Sequence, residues 1–217
     1  MGKIFIHQKS FLIVGILAIL IFIGFSYLVH RNLFVGLDFN TTVRLQDHIS
    51  RRFDGLFSFL SDIGKFEIIT TFLVIVLGIY CWRFKKWIGF FAVFFFYGVM
   101  HLVEIYGKTF VAHLPPPHFM LRTHDIFTFP EFYVQQTNSY PSGHAGRALF
   151  MTVILATITG KSKKLQRTQK YIIIFALCIY DITMLISRIY LGEHWLSDVI
   201  GGTFLGLAMG FLGSIFL

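Results

Sequence analysis

The chain has 217 residues, 55% of them hydrophobic and only 14% charged, and its mean hydropathy is +0.69. A soluble domain of that length needs far more charge to cover its surface, so the composition excludes a water-soluble globular protein and points to a membrane protein. The formal net charge of +8 fits cationic loops beside anionic lipid headgroups and implies no nucleic-acid partner.

Charge-poor runs approaching the roughly 20 residues needed to cross a bilayer occur six times. The first, 11–29, carries no charge at all. Lys3 and Lys9 precede it, but it is too long for the apolar part of a signal peptide, and Gly24-Phe25-Ser26-Tyr27 offers no small-x-small cleavage site. It reads as a retained anchor. The segment 40–60 follows, with apolar residues at Leu45, Ile49, Phe53, Leu56, Phe57 and Leu60. That spacing predicts a helix lying in the outer interface, as scaffold or as a wall beside a lipid access path.

The second and third spans are predicted at 63–82 and 87–103, the third including the aromatic run Phe94-Phe95-Phe96-Tyr97, expected to face lipid. The fourth, 142–160, has His144 and Arg147 in its first turns, and the fifth, 171–187, contains Asp181. The sixth, 196–217, carries Gly202, Gly206 and Gly210 four residues apart, a small-residue face suited to tight helix packing. The fold class is therefore all-α: a polytopic membrane protein of six transmembrane helices in a single domain, 1–217. Cys81 and Cys178 fall within different spans at different depths, which argues against a disulfide.

Orientation follows from lysine and arginine in short loops. Six spans put both termini on one side with the turns 83–86 and 161–170, the latter holding five cations and no acid. Arg31, Arg44, Arg51, Arg52 and Lys65 are spread over longer loops on the other side. The density predicts cytoplasmic termini and long loops outside the cell membrane.

Three segments then converge on the outer face. Tyr140-Pro141-Ser142-Gly143-His144 opens the fourth span. Ser142 is a natural N-cap, and Gly143 lets backbone approach a ligand, so this helix start is suited to an anion. His144 in its first turn can donate a proton to a leaving oxygen. Alone, the segment reads equally well as a capped helix with an incidental histidine.

The second segment is more telling. His194 and Asp198 lie four apart, so on a helix they share a face, and the carboxylate would fix the imidazole tautomer and leave the other nitrogen as nucleophile. Arg188 lies just across the turn, and a guanidinium matches phosphate oxygens. Lys108, with Pro115-Pro116-Pro117 a few residues on, is the third segment.

Ser187-Arg188, five residues, His194, three residues, Asp198 resembles the third signature of the type 2 phosphatidic acid phosphatase (PAP2) family of integral-membrane lipid phosphatases. Pro141-Ser142-Gly143-His144 resembles the second. The resemblance implies that His194 attacks phosphorus to form a phosphohistidine, that Asp198 orients it, and that His144 protonates the departing group. Lys108, Ser142, Gly143 (through its N–H) and Arg188 would hold the phosphate oxygens, with no metal and no cofactor. The substrate would be a membrane lipid phosphate or diphosphate: a polyprenyl diphosphate, phosphatidic acid or phosphatidylglycerol phosphate. Two rivals keep the scaffold: a lipid phosphotransferase, and a degenerate lipid-binding or transport protein.

The first signature departs from the family. Counting from Lys108, the position of its arginine holds Pro115. His113, His118 or Arg122 could fold back to replace it, and the permanent charge of Arg122 makes it the expected substitute. His113, His118, His124 and Asp125 fit no metal-ligand spacing. Asp181 is expected to neutralise a cation such as Arg147 or Lys108, and His101 and Glu104 to support the site without chemistry of their own.

Overall fold

The computed structural model describes residues 2–123 and 137–217, with the side chains of the first helix described from Gln8 onward. Eight α-helices and no strands occur among the described residues: α1 (Gly2–His30), α2 (Val35–His48), α3 (Asp54–Ile63), α4 (Phe66–Phe84), α5 (Trp87–Phe110), α6 (Gly143–Lys161), α7 (Arg167–Tyr190) and α8 (Leu196–Ser214). The all-helical membrane fold is as the sequence predicts. Each of the six predicted spans has its own long helix.

Five of these helices (α1, from Gln8, and α4, α5, α7 and α8) are long and apolar enough to cross a membrane. The exception is α6, and its place in the bundle gives the reason. It is buried along most of its length and packs on α8, α7, α4 and α5. A helix wrapped in protein need not be apolar, so Arg147 and His144 are tolerated there. Burial separates centre from rim: 61% of the most apolar stretch of α8 is covered, against 22% for α1.

The core follows from helical periodicity. Ile69, Leu73, Leu77 and Cys81 recur every four residues along α4 and face Val93, Tyr97 and Met100 of α5, with Phe150 and Ile154 of α6 and Leu205 and Met209 of α8. The opposite faces of α1, α4 and α7 expose Leu, Ile and Phe, as lipid contact requires. The α6–α8 contact is closer than side chains allow. A Cβ on Gly202 would overlap the Ser142 carbonyl, and one on Gly206 the Gly146 carbonyl, so the glycine row serves packing within the bundle. Cys81 is buried, Cys178 exposed, and both are free.

Two expectations need correction. The single interfacial helix over 40–60 is two helices, α2 and α3, separated by a 3-10 turn at Arg51–Phe53. Their patterning is inverted, because the buried face is polar: Asp38 and Thr42 in α2, Asp54, Ser58, Ser61 and Asp62 in α3. Leu56, Phe53 and Phe59 point outward. These helices pack on α7 and α8, and Asp38 of α2 reaches the start of α8. In the aromatic run, only Phe95 is strongly exposed; Tyr97 is buried and its hydroxyl meets Thr70 at 3.1 Å.

Candidate active site

The start of α8 supplies the first group. His194 lies in the turn before the helix, not on it, and Asp198 is its third helical residue. Their contact is therefore a capping reach rather than a pairing along one helix face. Asp198 Oδ2 accepts the Trp195 N–H at 3.0 Å and stands 3.3 Å from His194 Nδ1. Asp198 is fully buried and His194 is 8% exposed.

The start of α6 is tied to the same point. The Ser142 N–H donates to the Asp198 carbonyl at 3.0 Å, and the Ser142 hydroxyl caps α6 by a long bond (3.5 Å) from the Ala145 N–H. The N–H groups of Gly143 and His144 in the first turn precede the intrahelical ladder, where an anion is favoured. His144 lies within electrostatic reach of Arg188, Arg147, His194 and Lys108. Its ring packs against Gly64 between α3 and α4, and its Nε2 is buried with no hydrogen-bond partner among the described residues. A buried unpaired ring nitrogen is costly, so this atom is available to a group the protein does not supply.

The cations come from three helices, and each is held by a carboxylate. Glu104 receives Lys108 at 3.0 Å, His101 at 3.1 Å and Arg147 at 3.6 Å, while Arg147 Nε also donates to the Gly64 carbonyl at 3.0 Å. Arg188 pairs with Glu193 and bonds the Ser61 hydroxyl of α3. Burial lowers the pKa of His194, Arg188 and Lys108 lower it further, and Asp198 opposes the fall. The balance favours the neutral imidazole, the form able to act as a nucleophile.

Of the residues singled out by sequence, Lys108, Ser142, Gly143, His144, Arg188, His194 and Asp198 converge. Arg122 does not join them. Its backbone N–H donates to the Leu191 carbonyl at 2.9 Å, its guanidinium lies 5.2 Å from the centre of the Tyr190 ring, and one N–H reaches the Tyr190 hydroxyl at 3.4 Å. The tyrosine hydroxyl in turn donates to Asp54. Of the loop histidines, His113 alone is buried against this centre, 2.9 Å from Asp198 Oδ1; His124 and Asp125 lie outside the described residues. Asp181 accepts the Thr152 hydroxyl at 3.0 Å and has no cation partner among the described residues, while Arg147 pairs with Glu104.

Sequence reasoning passed over Asp38, Ser61 and Glu193 and gave Glu104 no chemistry. Glu193 adjoins His194, so proximity alone could have flagged it. The others lie on helices whose polar faces turn inward, a placement that periodicity cannot distinguish from a solvated face.

Comparison with known proteins gives matching results. A family model described as PAP2 superfamily matches residues 85–217. Phosphatidylglycerophosphatase B of Bacillus subtilis is 25% identical over 154 residues, covering 70% of this chain and 70% of its own length. Undecaprenyl-diphosphatase of Sulfolobus acidocaldarius is 32% identical over 162 residues, 73% of this chain and 68% of its own. The crystal structure of a PAP2-type phosphatidylglycerolphosphate phosphatase from Bacillus subtilis superposes with a TM-score of 0.74 at 21% identity, over 92% of this chain and 93% of that one. Aquifex aeolicus LpxE gives 0.55 at 19% identity, over 82% and 94%. At these identities the two structures speak for the fold alone.

Proposed function

Because the chain belongs to the PAP2 superfamily, we propose that it is a hydrolase that removes phosphate from a membrane lipid phosphate or diphosphate through a phosphohistidine. The observation that carries this reading is the contact between His194 Nδ1 and Asp198, set beside a helix start where His144 holds an unpartnered ring nitrogen.

Asp198 accepts the Nδ1 proton of His194 and so keeps the Nε2 lone pair for phosphorus. As the N–P bond forms, the P–O bond to the leaving group breaks, and His144 gives that oxygen its proton. Water then attacks phosphorus, the N–P bond breaks, and the proton lost by water returns to His144. The dephosphorylated lipid is released in the first step and inorganic phosphate in the second. Lys108, Arg188, the Ser142 hydroxyl and the Gly143 N–H hold the equatorial oxygens, where charge is spread in the transition state. Phosphate must compete with Glu104 for Lys108 and with Glu193 for Arg188.

The six long helices form one membrane domain over 1–217, with α6 as its central, protein-wrapped span. The termini and the 161–170 turn face the cytoplasm, and the site opens at the outer boundary, where a lipid keeps its tail in the bilayer. The names of the relatives make phosphatidylglycerol phosphate and a polyprenyl diphosphate the first lipids to try.

The test is phosphate release from a panel of lipid phosphates by purified protein in detergent. Hydrolysis predicts free phosphate without an added acceptor, which a phosphotransferase would not give. His194→Ala should abolish release while the protein still elutes as a folded species. Release persisting in that variant would refute the nucleophile.

A further inference from the structure

Two buried carboxylates meet at the N-terminus of α8. Asp38 of α2 accepts the Ser197 N–H at 2.8 Å and the Ser197 hydroxyl at 2.7 Å, and Asp198 caps the same turn through the Trp195 N–H. They are 1% and 0% exposed. Between them lies one ring, His113, with Nδ1 2.9 Å from Asp198 Oδ1 and Nε2 3.4 Å from Asp38 Oδ2. Both ring nitrogens face a carboxylate oxygen, and only the imidazolium offers a proton to each.

The ring is held in place by its backbone. The His113 N–H donates to Asn138 Oδ1 at 3.1 Å, and its carbonyl accepts the Ser139 N–H at 2.9 Å, which joins the segment after α5 to the one leading into α6. One side of the ring lines a surface groove of about 550 Å³, together with Asp38, Pro115, Asn138 and Trp195. The charged groups facing it are Asp38 from α2 and Asp198 from α8; the segment before α6 offers the uncharged Asn138 and Ser139.

We propose that His113, bridging Asp38 and Asp198 from the side opposite His194, is a positioning residue that holds Asp198 ionised and turned toward the nucleophile. The inference rests on the phosphatase reading above. Without a cation between them, the two buried carboxylates repel, and one is driven to take a proton. A protonated Asp198 would donate to His194 Nδ1 instead of accepting from it, and the wrong nitrogen would carry the lone pair. Where the family resemblance leads one to expect an arginine at position 115, this chain thus supplies a cation two residues earlier and directs it at the carboxylate rather than at the phosphate.

The test uses full-length protein in detergent with the lipid phosphate that wild type hydrolyses fastest. His113→Gln, which is neutral and carries its N–H donors on a single nitrogen, is expected to lower kcat by about 100-fold with KM within threefold. Asp38→Asn should lower kcat and move the alkaline limb of its pH profile downward, because His113 then loses its proton sooner. Nitrogen-15 spectra of the histidines should show both His113 nitrogens protonated at pH 7 in the folded wild type, a readout that needs no turnover. A loss in KM alone, a wild-type kcat in His113→Gln, an unmoved limb in Asp38→Asn or a neutral His113 ring would each overturn the proposal. A wild type inert toward every lipid phosphate would refute the phosphatase reading and this role with it, whereas an active wild type with an equally active His113→Gln would refute the role alone.

Discussion

The carboxylate of Glu104 lies directly against the α-carbon of Gly143, so that a Cβ built there would overlap both carboxylate oxygens. Glu104 also receives Lys108, His101 and Arg147. One buried acid thus fixes the cation set of α5 and α6 against the helix start that is proposed to bind phosphate. Gly143→Ala would push this acid away and drag Lys108 with it. Phosphate release is expected to fall by about 100-fold or more, and a Gly143→Ala protein as active as wild type would contradict the arrangement.

Arg188 and Arg122 should respond differently to truncation. Arg188 is 3% exposed and acts on both histidines. Arg188→Ala is expected to cost about 100- to 1,000-fold in kcat/KM. Arg122 stacks on Tyr190, so Arg122→Ala should leave kcat/KM within about threefold, the range of a rim contact. Steady-state kinetics of the pair decides between the sequence expectation for Arg122 and its observed place.

The proposed chemistry draws its positive charge from side chains and a helix start. Phosphate release should therefore be unchanged by excess chelator in the assay. Activity that vanished on chelation and returned with added divalent ion would overturn the metal-free mechanism.

His113 also couples stability to pH. Burial works against its charge, but hydrogen bonds to Asp198 and Asp38, and their negative charge, outweigh burial and lift its pKa to about 9 from the ordinary 6.5. A group whose folded pKa is raised contributes stability that is fully present below the unfolded value and is lost as pH rises through the folded one. Thermal unfolding in detergent should show the midpoint falling between about pH 6.5 and 9, with a smaller fall in Asp38→Asn. Equal slopes in the two proteins would remove His113 from this linkage.

The α6–α8 contact depends on bare backbone. Gly206→Val would drive a side chain into the Gly146 carbonyl, which has no rotamer to yield. The expected cost is about 1–3 kcal/mol, read as a lower unfolding midpoint. Gly78, with nothing within 4 Å of its would-be Cβ, provides the control: Gly78→Ala should not lower the midpoint.

The resemblance at 141–144 and 187–198 singled out both histidines and Asp198, which the fold brings together, because those residues lie within short local segments whose spacing survives folding. It pointed to Arg188 for the same reason, whereas Lys108 stands in the first signature, whose arginine position holds Pro115. It could not place Arg122, since a loop residue may turn toward the phosphate or toward Tyr190 at equal cost in sequence terms. The inward polar faces of α2 and α3 are not legible in the spacing at 40–60, because periodicity does not distinguish a polar face turned to water from one turned to a buried site.

Sequence by itself determined the membrane class, the six long helices and the two signatures, since each depends on composition or on residues a few positions apart. Tertiary structure alone decided that Asp38 and His113, 75 positions apart in the chain, meet at Asp198, and that Glu104 and Glu193 hold the cations. Those choices follow from burial: a charge shut away from water must find a partner wherever the packing brings one, and sequence distance does not limit that search.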